Sequence, residues 1–248
     1  AVGALNAVSL EPGFIYSFGS TLVLRSRTGS LETIVDWNRS PSPTVSSSPL
    51  IASFPGNSPK DVWGWSHGLI TWGNLASRLV DIADFQSGSV DIGAGTVTAL
   101  ATGNVDSDAN DELLALTESG QLFLIEGPDR FHSIHSFAGS TVGAPIIADV
   151  NRDGSEEVLV LTRNGTLHIL NSNGLLFQSI PVPGGGTSPP VLGDLDGDGF
   201  VEALFGGEGR LWGIRFNGIL QSESPISLPL KDEAGTILSP PVLADLDG

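Results

Sequence analysis

Apolar positions along this chain fall in short runs, not in long helical stripes. LLAL (113–116), VLVL (158–161) and ALF (203–205) each lead into a glycine-containing turn and a further apolar run: ESGQLFLI, RNGTLHIL and GEGRLWGI. Ahead of these elements stand GAPII (143–147), SPPVL (188–192) and SPPVL (239–243). Short apolar runs bounded by Gly, Pro, Asn and Asp predict β-strands, and the glycine turns predict hairpins. Each unit therefore reads as strand, polar loop, strand, tight turn, strand. A fourth strand is expected by position at FHSIHSF (131–137), LLFQSIPV (175–182) and RLVDIADF (78–85). The last of these also reads as a short helix capped by Asn74.

The polar loops repeat in phase with the strands. NVDSDANDE, DVNRDGSEE and DLDGDGFVE begin at 104, 149 and 194, and DLDG begins at 245, so the spacings are 45, 45 and 51 residues. Two degenerate copies extend the phase upstream. In SSPLIASFPGNSPKDVWGW, Ser53 aligns with Asp194 and Asp61 with Glu202, while Pro55 and Asn57 replace the middle acids. FIYSFGSTLVLRSRTG (14–29) aligns with ALFGGEGRLWGIRFNG (203–218), placing Leu22 over Leu211. The units lie near 1–45, 46–97, 98–142, 143–187 and 188–238, with a partial unit at 239–248. A period of about 40 to 50 residues made of four short strands is that of a β-propeller blade. The predicted fold is all-β, a single β-propeller domain or part of one, built from about five repeats.

Composition agrees and removes several functions. With 32 Gly, 16 Pro and 16% charged residues, the chain suits many strands joined by many turns. A net charge of −17 with only 11 basic residues argues against a nucleic-acid partner, which requires clustered Lys and Arg. The absence of cysteine excludes disulfides and thiolate metal sites. No apolar run approaches the roughly 20 residues of a membrane-spanning helix, so no membrane insertion is expected within this segment. A chain that opens on Ala1 and contains no methionine reads as processed or as part of a longer one.

What, then, are the acids for? Asp194, Asp196, Asp198 and Glu202 repel one another unless cations or protons neutralise them, and no basic residue lies among them. A hard divalent cation is the economical answer, because Ca2+ takes about 6 to 8 oxygen ligands from alternate residues of a tight loop. The helix-flanked calcium loop has its final acid at position 12. Here the final acid is at position 9, as Glu112, Glu157 or Glu202, and an apolar run follows at once, which puts the loop inside a β-hairpin.

The D-x-D-x-D-G-x-x-[DE] loop between strands, preceded by GAP or SPP and repeated, resembles the FG-GAP repeats of integrin α-subunit propellers and related bacterial proteins. GAP stands at 143–145 and FG at 18–19 and 205–206, and the resemblance is strongest from about 98 to 248. It implies a Ca2+ ion in each intact loop, held by side chains at positions 1, 3, 5 and 9 and by the backbone carbonyl at position 7. In this sequence those positions are Asp194, Asp196, Asp198, Phe200 and Glu202; Asp149, Asn151, Asp153, Ser155 and Glu157; and Asn104, Asp106, Asp108, Asn110 and Glu112. Asp245 and Asp247 open a further loop. The number of acids, and Ala109 where the turn favours Gly, rank the loops 194, then 149, then 104. The resemblance also favours a seven-bladed ring over a five-bladed one. A five-bladed ring would require 239–246 to complete the blade begun by 14–29.

Other motifs carry less. Gly64-Trp65-Ser66-His67-Gly68 matches a nucleophile elbow, but the repeat places it at a hairpin turn followed by a strand, not a helix. His132, His135 and His168 share no loop, and Trp63, Trp65 and Trp72 are expected in blade packing. Asn38 and Asn164 open glycosylation sequons. The leading reading is an extracellular calcium-binding adhesion or ligand-binding module with a protein or glycan partner. A carbohydrate-active enzyme on the same plan, a polysaccharide lyase or hydrolase, would need a basic or tyrosyl proton acceptor in a cleft, and the chain offers one tyrosine, Tyr16, and two lysines, Lys60 and Lys231. The third reading is a structural subunit of a surface filament.

Overall fold

The computed structural model describes the backbone of residues 2–4, 12–18, 21–26, 31–36, 50–54, 57–66, 69–74 and 87–90. From 91 to 243 it describes every residue except 107, 109–110, 128–129, 183, 208–209, 217–225 and 230–235. Among the described residues there is no helix, and the strands form antiparallel four-stranded sheets.

The first sheet comprises β1 (Val2–Ala4), β2 (Pro12–Phe18), β3 (Thr21–Ser26) and β4 (Leu31–Asp36). The second comprises β5 (Leu50–Phe54), β6 (Asn57–Ser66), β7 (Leu69–Asn74) and β8 (Ser87–Asp91). The third has β9 (Val97–Gly103), β10 (Glu112–Thr117), β11 (Gln121–Gly127) and β12 (Arg130–Ser136). The fourth has β13 (Ile146–Ala148), β14 (Glu157–Thr162), β15 (Thr166–Leu170) and β16 (Leu176–Pro181). The fifth has β17 (Val191–Gly193), β18 (Glu202–Gly207), β19 (Arg210–Arg215) and β20 (Ile226–Pro229). Within each sheet neighbouring strands follow chain order, so every sheet is a meander.

The register reproduces the repeat residue by residue. Gly103 pairs with Glu112, Ala148 with Glu157 and Gly193 with Glu202, so each acidic loop is closed by the same ladder pair. The degenerate copies keep this frame. Ala52 pairs with Asp61, and Phe54 pairs with Asn57, so there the ladder runs on where an acidic loop would open. Phe18 opposite Thr21 and Phe14 opposite Arg25 match Gly207 opposite Arg210 and Ala203 opposite Ile214. Two expectations fare differently. The fourth strand of the second sheet is Ser87–Asp91, and 78–85 lies outside the described residues. The first sheet draws its strands from Val2 to Asp36, and residues 239–243 form no strand.

The chain divides into two compact units. The first holds Ala1–Asn104, Asp108–Glu118 and Phe123–Ser133, and the second holds the rest. In the first, Ile92, Val97, Leu100, Leu113, Ala115, Phe123 and Ile125 form a core. In the second, β14 and β18 supply Leu159, Leu161, Ala203 and Phe205 to a core completed by Leu167, Ile169, Ile180, Trp212, Ile214 and Phe216. The continuous apolar runs have a physical reason: β10 and β14 are buried at every position, so neither face offers a place for polar residues. The fourth strands β12 and β16 are mostly exposed or half-exposed. Each fully buried Leu, Ile or Phe contributes about 1.5 to 3 kcal/mol relative to exposure.

The turns linking second to third strands depend on glycine. Gly165 has φ +87°, and a Cβ there would stand 2.5 Å from the Val182 carbonyl oxygen, which no side chain could accept. The Gly165 carbonyl receives the Val182 N–H at 2.7 Å, and the Gly120 carbonyl likewise receives the Phe137 N–H at 2.8 Å.

Candidate metal centre

The best-defined acidic loop runs from Asp194 to Glu202, between β17 and β18. Asp194 caps the turn from inside: Oδ1 accepts the Gly197 N–H at 2.8 Å and Oδ2 the Gly199 N–H at 2.9 Å. Asp196 Oδ1 accepts the Asp198 N–H at 3.2 Å, and Asp198 Oδ1 accepts the Phe200 N–H at 2.8 Å. These are Asx-type turns, which a short carboxylate makes with its own backbone two residues on. Glu202 reaches the other way, its Oε2 accepting the Leu195 N–H at 2.8 Å. Ligand atoms of Asp194, Asp196 and Glu202 lie within 4.8 Å of one another.

Glu202 differs from the aspartates in burial. It is 7% exposed, and its Oε1 accepts no hydrogen bond. Burial pushes its carboxyl above the ordinary range, helped by the charges of Asp196 and Asp198 and opposed by the Leu195 N–H and Arg215. Arg215, the ladder partner of Glu202 on β19, places Nη2 on Asp196 Oδ2 and Nε 3.7 Å from Glu202 Oε1. Local sequence did not reveal this cation, because the ladder supplies it from a different strand. Arg152, from the preceding loop, lies 5.0 Å from the centroid of the Phe200 ring.

The loop from Asp149 to Glu157 has the same plan. Asp149 accepts the N–H groups of Asp153 and Gly154 at 3.1 and 3.0 Å, and Asp153 accepts that of Ser155 at 2.8 Å. Glu157 Oε2 accepts the Val150 N–H at 3.1 Å. The Asn151 side-chain amide donates to Asp153 Oδ2 at 2.9 Å and to Glu157 Oε1 at 3.1 Å. Thus Asn151 bridges two of the acids as a neutral donor. Desolvation raises the Glu157 carboxyl from an ordinary 4.5 to about 7, with repulsion from Asp153 and Asp149 adding to it and the Val150 N–H opposing it. The Ser155 N–H and the Asn151 amide hold Asp153 below the ordinary range. Arg152 occupies left-handed backbone at φ 61°, where the 194 loop has Gly197 at φ 76°. Sequence reading weighed glycine only two residues later, at Gly154 and Gly199.

In the third loop, ligand atoms of Asp106, Asp108 and Glu112 lie within 4.8 Å of one another, and the Asn104 amide donates to the Asp108 carbonyl. Asn110 and Ala109 lie outside the described residues, as do Asp245 and Asp247. Glu112, Glu157 and Glu202 are all buried, at 2%, 2% and 7% exposure. Sequence marked them as ligands without indicating that, among the described loop acids, they alone are buried.

The remaining candidates lie on strands and turns of the sheets. Ser66 pairs with Leu69 across the turn from β6 to β7, so a strand follows where an elbow needs a helix. Trp63 pairs with Trp72 across the same ladder. His135 and His168 flank Phe137, with ring centroids 4.6 and 5.0 Å away, and burial lowers the pKa of both. The Asn164 amide donates to the Ala138 carbonyl at 3.0 Å and accepts from the Thr162 hydroxyl at 2.6 Å.

Residues 149–205 match the family model of the FG-GAP-like repeat. The chain carries FG-GAP-like repeats. The matched span opens at Asp149 and ends just past Glu202, enclosing two acidic loops and the β14–β15 hairpin between them. No curated protein sequence matches the chain. Two solved structures of BBS1N in complex with ARL6DN, one soaked with mercury and one with lead, each align over 92% of the chain with a TM-score of 0.60. Identity is 12% and 13%, and the chain spans 66% and 67%, about two thirds, of the length of those relatives. The likeness establishes an all-β, β-propeller-like fold for the FG-GAP-like chain. Among the described residues no helix is long and apolar enough to cross a membrane.

Proposed function

We infer that the sheets are blades of a β-propeller whose FG-GAP-like loops bind calcium, and that the chain serves outside the cell as an adhesion or ligand-binding module. The carrying observation is the donor set of the 194 loop. Ligand atoms of three carboxylates lie within 4.8 Å of one another, and one of the three, Glu202, carries a buried oxygen, Oε1, with no hydrogen bond. Hard oxygen donors with no sulfur or imidazole among them suit Ca2+. Asp194, Asp196, Asp198 and Glu202 would hold the ion, with Asp149, Asn151, Asp153 and Glu157 and then Asn104, Asp106, Asp108 and Glu112 forming sister sites. The ion's part is to neutralise the acids and fasten each loop to its ladder. Ions in these three loops would bring the formal charge from −17 to about −11.

The partner reading rests on the platform. The similar structure of BBS1N is of a complex with a protein, ARL6DN, and a propeller face here would present loops to a protein or glycan. Extracellular placement follows from the calcium reading, since weak oxygen-only loops stay filled where calcium is abundant. Melting in calcium and in chelator tests the metal. A rise in Tm with calcium is expected, and a curve indifferent to both would overturn the calcium reading. Glycan-array and surface-display pull-down binding test the partner; release of unsaturated sugars would overturn the module reading.

A further inference from the structure

The 194 loop matches the repeat best in its acids, yet the neighbouring strand sets an arginine against two of them. Arg215 sits at the end of β19, directly across the ladder from Glu202. Its guanidinium bonds Asp196 Oδ2 and approaches the buried Glu202 Oε1 to 3.7 Å, too far for a hydrogen bond. The planar fork thus holds one acid of the cluster and leaves the other half-compensated. Both acids are among the three whose ligand atoms converge.

The repeat varies this position systematically. Aligning QLFLIE, TLHILN and RLWGIR puts Glu126, Asn171 and Arg215 in one column, so its charge runs from negative through neutral to positive. The Asn171 side chain is engaged locally, its Oδ1 accepting the N–H groups of Asn173 and Leu175 at 3.1 and 3.0 Å. Glu126 pairs with Arg130 at 2.7 Å. The acids of the loops vary little while this column of the alignment changes sign.

We propose that Arg215 is a tethered counter-cation of the 194–202 loop, which calcium must displace from Asp196 and Glu202, and that the residue in this column tunes the cation affinity of each loop. The proposal rests on the calcium reading above. It has a concrete consequence: the loop with the most acids binds calcium more weakly than its acid count implies. When calcium is absent, the guanidinium relieves repulsion among Asp194, Asp196 and Glu202 and keeps the loop folded. When calcium enters, Asp196 and Glu202 exchange nitrogen neighbours for the ion, and Arg215, already half-exposed at 38% of its side chain, swings toward solvent. Apparent affinity is reduced by the fraction of loops in which the arginine occupies the acids.

The test follows the Gly197 and Gly199 amides, which donate to Asp194 and so report on this loop alone, by nitrogen–proton correlation NMR during calcium titration of the full chain. Arg215→Gln, which installs a neutral side chain as in the 171 position, should tighten binding at these amides by about five- to tenfold, the worth of a charge-assisted pair at a partly exposed site. The calcium-free variant should melt lower than wild type. Arg215→Lys keeps the charge and, with Arg215→Gln, separates charge from shape; it should stay within about threefold of wild type. Equal calcium affinity for wild type and Arg215→Gln would refute the counter-cation while leaving the calcium reading intact. Amides that do not respond to calcium in either protein would overturn the calcium reading itself, and the competition with it.

Discussion

Glu157→Gln should change the sign of its effect with the metal. In the absence of calcium, Glu157 is a buried carboxyl whose pKa stands at about 7, chiefly through desolvation and then through repulsion from Asp153 and Asp149. A group with a raised folded pKa contributes stability that is complete below its unfolded value and is lost as pH rises through the folded one. The window here runs from an ordinary 4.5 to about 7. At pH 5 wild-type Glu157 is protonated and resembles glutamine, so the two proteins should melt together in chelator. At pH 8 wild type holds a buried charge that glutamine does not. The variant keeps an acceptor for the Val150 N–H, now 3.1 Å from Oε2, gives up the one that Oε1 offers the Asn151 amide, and on balance should melt higher in chelator by about a degree or two. With calcium at 100 times Kd the order reverses. Wild type gains about 2.7 kcal/mol from that site, and the variant, lacking the buried anionic ligand, loses most of it. At roughly 2 to 4 °C per kcal/mol for a chain of this size, that is a loss of about 5 to 10 °C. Scanning calorimetry at both pH values with and without calcium provides the four comparisons. Parallel shifts of variant and wild type in all four would refute the assignment of Glu157 as a ligand.

Three further outcomes follow from packing and loop chemistry. Gly165→Ala forces a Cβ into a space 2.5 Å from the Val182 carbonyl at φ +87°, so urea titration should register a loss of about 2 kcal/mol or more. Phe205→Ala empties a site with no exposure and should cost about 3 to 5 kcal/mol, while Phe177→Ala, at a residue 53% exposed, should stay within about 0.5 kcal/mol by the same titration. Magnesium should raise Tm far less than calcium at equal concentration, because it demands a smaller octahedral shell and releases water reluctantly.

The ladder and the phase were legible because each is encoded in contiguous residues. LLAL and VLVL read as strands since both faces of β10 and β14 are buried, and a run with no polar position has few other uses. The alignment of Ser53 with Asp194 and of Asp61 with Glu202 agrees with the ladder, in which Ala52 lies opposite Asp61 as Gly193 lies opposite Glu202. What failed to show depends on pairing across the sheet. Arg215 meets Asp196 only because β18 and β19 place it opposite Glu202, and no local window contains both ends of that ladder. The strand at 87–91 was missed for another reason: SGSVD has little apolar content, whereas RLVDIADF nearby is richer in it.

The repeated choice of aspartate or asparagine at positions 1, 3 and 5 and glutamate at position 9 can be derived from reach. An aspartate at the start of a turn is short enough to accept N–H groups of its own loop, as Asp194 does from Gly197 and Gly199 and Asp198 from Phe200. A glutamate there would carry its carboxylate one methylene too far out for the same Asx geometry. Position 9 has the opposite need. It starts the second strand, faces the core, and must reach back to the second residue of the loop, as Glu157 does to Val150 and Glu202 to Leu195. The extra methylene lets a buried backbone position deliver an oxygen to the loop. These bonds organise the 149 and 194 loops through their own N–H groups, so a cation bound there would not meet the cost of ordering a flexible turn. Because an accepted N–H uses one lone pair of an oxygen and leaves the other, the same carboxylates remain available to a cation after shaping the loop.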